Sequence, residues 1–426
     1  MKRFLLLVGL MLVFIMPSAA QDDVKVLRVD AGQLLGEINP YVYGANYGPW
    51  ALVSMDMASE AVNSGLTLLR FPAGNWGDQN NIRPEQLDLF MLQVRAWNAE
   101  PYITARLEGG TPEQAAELVR YANIEKGYDV RYWSIGNEPT LYDDYTIARF
   151  NEEWRIFAEA MLAVDPDIIL IGPEVHQYAP DEAAPDYLQV MREWVQEFLK
   201  TNGDLVDIVS IHRYPFPLTM TSSTSIEELR LSAPQADSMI DLLRQDIRDA
   251  VGHDMPVAIT EMNSHWSNSI GNVATPDSFY NAIWWADVLG RFIRKQVEIV
   301  NYFALAATQS GFGLIDRYSV RPTYYVYQLY QQFGSELVFS ESPDNDVTIY
   351  AALREDGTLT LVIINLSDVE QQRQIQLENF TPGGVAQVWR FDAEHEAEPL
   401  DDMTVSEADI VTFPGQSITL YVVPAQ

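Results

Sequence analysis

Cysteine is absent from the 426-residue sequence. That excludes stabilisation by disulfides, a Cys-ligated zinc and a lipid-modified cysteine. Positive charge is scarce, since 27 Lys and Arg face 60 Asp and Glu and leave a formal net charge of −33. A surface of that sign repels nucleic acid and anionic membranes, mildly disfavours a polyanion, and leaves a neutral polymer unaffected. Acidity also serves solubility alone, so it excludes partners without naming one. Phosphate-binding glycine loops, His-Glu-x-x-His, Gly-x-Ser-x-Gly and Cys–His arrangements are all missing. Dinucleotide, zinc-protease and thiol chemistries therefore lack support, and neither cofactor nor metal is expected.

Long apolar runs are missing after the first twenty residues. Those twenty have a basic start (Lys2, Arg3), an apolar run over 4–16 and the small-residue exit Ser18-Ala19-Ala20, as a signal peptide does. The run is shorter than the ~20 residues a bilayer needs, so export is expected, to the periplasm or the medium, with no membrane anchor. Removing Lys2 and Arg3 takes the charge from −33 to −35. The rest exceeds the ~250–300 residues at which single cores stop growing. One large and one small domain are expected, in a monomer.

Short apolar runs alternate with helical ones over 38–334, which predicts βα units. Eight such runs lie at 41–45, 67–71, 102–107, 131–135, 168–172, 207–212, 257–261 and 300–305. Helices are predicted over 150–164, 187–199, 240–251, 280–292 and 322–333. Another starts at Thr111-Pro112-Glu113-Gln114, a capping box with proline at the first helical position. Eight parallel strands predict an α/β fold, a closed (β/α)8 TIM barrel. After Gly334 the pattern changes to short alternating strands at 347–353, 358–365, 372–377, 386–391 and 417–423, separated by turns such as Asp356-Gly357. They predict a small antiparallel β-sandwich formed by 335–426 with 22–37, the early strand 24–29 pairing into it.

In such a barrel the working groups project from the C-terminal ends of strands. The fourth predicted strand ends in Ser134-Ile135-Gly136-Asn137-Glu138-Pro139, and the seventh in Ile259-Thr260-Glu261-Met262-Asn263. Two carboxyls so delivered are what hydrolysis of a glycosidic bond with retention requires, ~5–5.5 Å apart, one to protonate the leaving oxygen and one to attack. The chemistry needs a raised pKa for the acid and a low one for the nucleophile.

Asn137-Glu138-Pro139 and Glu261 resemble the acid/base and nucleophile motifs of glycoside hydrolase clan A. Ile38-Asn39-Pro40-Tyr41-Val42-Tyr43-Gly44, Leu69-Arg70-Phe71-Pro72-Ala73-Gly74-Asn75 and Arg321-Pro322-Thr323-Tyr324-Tyr325 are similar to families 51, 44, 39 and 79 of that clan. The resemblance implies that Glu138 is the acid and then the base, and Glu261 the nucleophile. It implies that Asn137 donates to the sugar 2-hydroxyl, that Arg70 lies beneath Glu261, and that His212 and Tyr214 orient the nucleophile. Asn75 joins the substrate-binding candidates. Where the clan places a tryptophan after strand eight, this chain reads Asn301-Tyr302-Phe303-Ala304-Leu305, so that platform is absent or supplied by Phe312.

Sugar faces stack on aromatic rings. Tyr47, Trp50, Trp76, Tyr142, Trp266 and Phe312 stand near strand ends, with Trp76 and Trp266 the favoured platforms; Trp284 and Trp285 lie within a helix and read as core. Glu174, His176 and His265 are open between subsite contacts and loop packing. The expected partner is a neutral polysaccharide or oligosaccharide. The favoured activity is an endo-β-1,4-glycanase, since the stretch 71–84 carries no long insertion. The alternatives are an exo-acting α-L-arabinofuranosidase, β-xylosidase or β-glucuronidase, and, in another class, a non-catalytic carbohydrate-binding barrel.

Overall fold

The computed structural model describes residues 24–179, 186–218, 223–405 and 409–426. The predicted signal peptide lies outside them. No helix among the described residues is long and apolar enough to cross a membrane.

Strand β1 (Val26–Glu37) precedes the barrel. The barrel strands are β2 (Gly44–Asn46), β3 (Leu68–Phe71), β4 (Glu100–Ala105), β5 (Tyr132–Ile135), β6 (Ile169–Val175), β7 (Ile208–Arg213), β8 (Val257–Met262) and β9 (Ile299–Tyr302). They pair in sequence order, and β9 closes on β2 through Gly44 opposite Asn301 and Ala45 opposite Tyr302. Nearly every strand residue is buried, as the run-like rather than alternating hydrophobicity of these segments requires of a parallel sheet covered on both faces. Leu68, Tyr102, Tyr132, Ile171, Ile208, Ala258 and Ile299 pack together near the strand starts. The lower interior is therefore solid, and chemistry is confined to the opposite end.

The first and last barrel strands differ from the expectation. Asn39 accepts the Tyr41 amide at 2.9 Å and starts a 3-10 turn over Pro40–Tyr43, so the strand begins only at Gly44. At the other end β9 stops at Tyr302 and the chain from Phe303 runs into the mouth. The Thr111 capping box forms as read, its hydroxyl accepting from the Gln114 amide while the Gln114 side chain takes the Thr111 amide.

The C-terminal strands are β10 (Glu336–Glu341), β11 (Val347–Leu353), β12 (Leu359–Asn365), β13 (Gln371–Glu378), β14 (Gln387–Phe391), β15 (Glu396–Pro399), β16 (Ile410–Phe413) and β17 (Ser417–Val423). With β1 they make one nine-stranded sheet rather than two separate antiparallel sheets. The twelve-residue β1 is the reason: it pairs antiparallel with β10 and parallel with β13, with register shifts between Asp30 and Gly36. Such shifts sharpen strand twist, and the curled sheet closes over its own core of Leu27, Val29, Ile349, Leu361, Ile375 and Phe413.

Helix Phe279–Arg294 is buried almost throughout because it runs between barrel and sheet, and Trp284 and Trp285 are core, as read. Its Asp287 accepts from Thr348, Tyr350 and Arg291 at 2.7–2.8 Å. Gly290 faces Tyr350 so closely that a Cβ would lie 2.3 Å from the ring. This tie fixes the helix that follows β8, and with it the strand carrying Glu261.

Candidate active site

Beyond β5 the chain turns through Gly136 at φ +83° and buried Asn137 to Glu138, itself left-handed at φ +47°. A side chain in that region is uncommon and strained by about 1–3 kcal/mol. The conformation is held from both sides, by the Glu138 amide donating to the Glu174 carbonyl at 3.0 Å and the Leu141 amide to the Glu138 carbonyl at 2.9 Å. Glu174, at the end of β6, is left-handed as well, at φ +58°. Glu261 stands within β8, opposite His212 of β7 in the ladder. One carboxyl oxygen of Glu138, one of Glu261 and a ring nitrogen of His212 lie within 4.8 Å of one another.

Arg70, fully buried on β3, organises the floor. One terminal nitrogen donates to Glu261 at 2.8 Å and to Asn46 at 3.2 Å; the other donates to Asn137 at 2.9 Å and to Glu174 at 2.7 Å. The fork geometry of guanidinium is what lets one cation serve two carboxylates. Glu261 also receives the Gly74 amide at 3.0 Å and the Tyr214 hydroxyl at 2.7 Å. Arg70 and Tyr214 thus sit where the resemblance put them. Asn137 turns its amide nitrogen to Asn75 at 3.2 Å, so those two form one polar edge.

His212 departs from its expected role. Its Nδ1 is 3.0 Å from Glu138 and 3.7 Å from Glu261, while Nε2 is 2.9 Å from Glu174. It therefore contacts the acid/base candidate more closely than the nucleophile. Burial pushes the imidazole pKa down, but the negative charge of Glu261 and the bonds to Glu138 and Glu174 outweigh it and raise the value to about 9. Conversely, burial pushes the Glu138 carboxyl up, and the bond and charge of His212, with His176 and Arg70, bring it below the ordinary carboxylate value. The expectation of a raised Glu138 pKa is thereby corrected. The two groups are joined by one hydrogen bond, and such a pair titrates as a unit.

Glu174 is fully buried. Burial raises its pKa, but the charge of Arg70 and the contacts with His212 and Ser210 draw it down to about 2. His176 meets the Thr140 hydroxyl, and His265 lies between Ser264 and Thr224, which makes His265 loop packing. Asp78 was not singled out by the sequence reading. Its buried carboxylate accepts the backbone amides of Leu107, Glu108 and Asn137 and the Tyr142 hydroxyl, fixing the chain just before Glu138. The aspartate following Trp76-Gly77 was the available signal. Tyr142, tied to it, is a brace rather than a platform.

Beside Glu261 opens a hollow of about 420 Å³ whose lining includes Trp50, Gly74, Asn75, Trp76, Phe303 and Phe312, with Asn268, Thr308, Gln309 and Ser310 among its polar side chains. The Phe303 ring stacks on Trp50 at 6.0 Å and meets Phe312 edge-on at 5.5 Å. Phe303, which follows strand β9, therefore lines the hollow together with Phe312, where the expectation was a platform either absent or supplied by Phe312. Trp76 lines the hollow. Trp266 is 48% exposed on the mouth with its indole N–H on the Pro217 carbonyl, outside that lining. Tyr47 is a correction: its ring is 0% exposed, packed against Phe71, Phe90 and Trp97, and its hydroxyl meets Val53 and Gln93, so no sugar reaches it.

Known proteins resemble this arrangement. A β-xylosidase of Caldicellulosiruptor saccharolyticus is 24% identical over 58% of this chain, and the match spans about half, 51%, of that protein's length. A probable α-L-arabinofuranosidase C of Aspergillus niger is 21% identical over 94% of this chain and 97% of its own. Among solved structures, CelM2, a bifunctional glucanase-xylanase from a metagenome library, superposes with a TM-score of 0.73 at 19% identity, over 95% of this chain and 99% of that one. The family 51 α-L-arabinofuranosidase of Thermotoga petrophila RKU-1 does so at 0.73 and 18%, over 94% and 100%. The model of glycosyl hydrolases family 39 matches residues 119–374, a span that contains Glu138, Glu174, His212, Tyr214 and Glu261. Family 39 is one of the four that the sequence motifs resemble, and with its match running over more than half of the 426 residues the chain belongs to glycosyl hydrolases family 39.

Proposed function

We propose that this chain hydrolyses β-1,4-linked neutral glycans, of xylan or glucan type, with retention at the anomeric carbon. The carrying observation is the approach of the Glu138 and Glu261 carboxyls to within 4.8 Å, which fits the ~5–5.5 Å of retaining enzymes and leaves no room for the ~6.5–9.5 Å, water-spanned gap of inverting ones. Glu261 attacks the anomeric carbon as its bond to the leaving oxygen breaks, and the proton held by Glu138 and His212 passes to that oxygen. Water then attacks the glycosyl ester, giving its proton to Glu138 and releasing Glu261.

The hollow beside Glu261 carries amide and hydroxyl groups and no charged side chain among the described residues. A uronic acid would find no cation there, which favours neutral sugars over glucuronides. Endo action is supported by the exposed Trp50 and Trp266 and by the shortness of the stretch after β3, which folds as the helix Asn75–Gln79 along the wall of the hollow. A relative named as an arabinofuranosidase matches along 94% of the chain, which favours α-L-arabinofuranoside cleavage as the second reading. Action after export is supported by the basic and apolar first twenty residues, which read as a signal peptide.

Product analysis on xylan, β-glucan, xyloglucan and arabinan separates these. Oligosaccharides of β-configuration from xylan or glucan are expected. Free arabinose alone supports the second reading, and first products of the configuration opposite to that of the bond cleaved sink retention. Tyr214→Phe removes a donor to Glu261 and is expected to lower kcat/KM by about 10- to 100-fold, the loss of one hydrogen bond to a charged group. Steady-state kinetics on an aryl glycoside checks it; an unchanged rate would remove Tyr214 from the site.

A further inference from the structure

We infer that Glu174 is a positioning residue for the acid/base, holding His212 so that the Nδ1 of the ring presents and stores the proton that Glu138 delivers. This rests on the retaining-hydrolase reading. Retaining hydrolysis uses two carboxylates, yet a third lies fully buried beneath them. Its surroundings are specific: Oε2 accepts from Arg70 at 2.7 Å, His212 at 2.9 Å and Thr260 at 3.0 Å, and Oε1 accepts the Tyr102 hydroxyl at 2.8 Å. A packing residue needs no such set. An acceptor at Nε2 fixes that nitrogen as the protonated one, and the other nitrogen then faces Glu138. Glu174 also takes the Glu138 amide on its own carbonyl at 3.0 Å, so it grips the acid/base at two points, through the backbone and through the imidazole.

The groups that face His212 are Glu138 after β5, Glu174 on β6, Glu261 on β8 and, through the two carboxylates it bridges, Arg70 on β3; His176 and Tyr214 complete the surround. Three carboxylates around one imidazole keep it cationic whenever Glu138 is ionised. During glycosylation the proton passes to the leaving oxygen, and His212 is left neutral, still donating from Nε2 to Glu174. During deglycosylation the attacking water returns one proton to the Glu138–His212 pair. The count closes without any outside donor.

The test compares wild type with Glu174→Gln, whose amide nitrogen takes the Oε1 position, where Tyr102 can turn to accept. In wild type the alkaline limb of kcat/KM is expected near pH 9, following His212. In the variant it moves at least one unit lower. The rate on phenyl glycosides, which need a proton, falls at least tenfold more than on 2,4-dinitrophenyl glycosides, which do not. Equal losses on both substrates with the limb unmoved would mark Glu174 as structural only and overturn the inference. Nitrogen-15 NMR of histidine-labelled wild type needs neither turnover nor the variant: His212 is expected doubly protonated at pH 7, and a neutral ring in an active enzyme overturns the inference. No turnover on any glycoside, with a doubly protonated His212, would instead overturn the hydrolase reading and leave the proton arrangement standing.

Discussion

Glu261→Ala is expected to lower kcat by roughly four to six orders of magnitude, as removal of a nucleophile that forms a covalent intermediate does, and sodium azide is expected to restore part of it. The space vacated is an anion site. The Arg70 guanidinium, the Gly74 amide and the Tyr214 hydroxyl that now hold the carboxylate remain in place and face the incoming anion. Azide bound there attacks the anomeric carbon once and is not displaced, so the product is a glycosyl azide of inverted configuration. With Glu138→Ala the order reverses. Glu261 still forms the ester, azide replaces water in the second step, and the azide product keeps the starting configuration. Polarimetry or proton NMR of the two products assigns the roles, and products of the opposite configurations would exchange them.

Arg70→Met is expected to destabilise the fold by about 3–5 kcal/mol, the loss typical when one partner of a buried ion pair is removed and the other stays. Two carboxylates, Glu174 and Glu261, would lose their common cation, and Asn46 and Asn137 a donor each. The urea midpoint measures the loss; an unchanged midpoint would mean that the guanidinium contributes nothing net. Arg70→Lys should recover only part, because one ammonium cannot reach both carboxylates in the same geometry. The sign with pH is fixed by Glu174, whose folded pKa of about 2 lies below the value of 4.5 of a free glutamate, as in the unfolded chain. Its stabilisation is present above pH 4.5 and is lost as the pH falls towards 2. Without Arg70 the folded value rises towards 4.5 and that contribution shrinks, so acid unfolding of the variant begins at higher pH.

The candidate pair Glu138 and Glu261 was legible because each glutamate ends an apolar run, and a carboxylate there has only the barrel mouth to occupy. The barrel was legible for a related reason: strands buried on both faces write continuous hydrophobic runs that are hard to mistake when eight recur. Glu174 was not legible as a partner of His212, since one charged residue within a buried strand looks alike whether it packs, binds or positions, and the distinction lies in three-dimensional neighbours. Tyr47 misled for the same reason, as its strand-end position says nothing of the Phe71, Phe90 and Trp97 rings that enclose it. Phe303 was quoted as a departure rather than seen as a wall, because the chain leaves the ladder after Tyr302 and only the folded loop stacks it on Trp50. The single curled sheet was hidden by β1, whose two pairings join strands far apart in sequence.

Glu138, Glu174 and Glu261 are met by Arg70 and by His212, whose imidazole is expected to be cationic. One unit of negative charge is left over, walled in by groups that are almost entirely buried. A neutral glycoside does not cancel it, and neither does the neutral ester. As positive charge develops at the anomeric carbon of the proposed oxocarbenium ion, the proton leaves with the departing oxygen, so the net charge stays the same and only its arrangement changes, an ionised pair of carboxylates then facing a cation. On the proposed mechanism that opposition of charges exists only while the sugar reacts, and it would let the site hold a reacting sugar more tightly than a bound one.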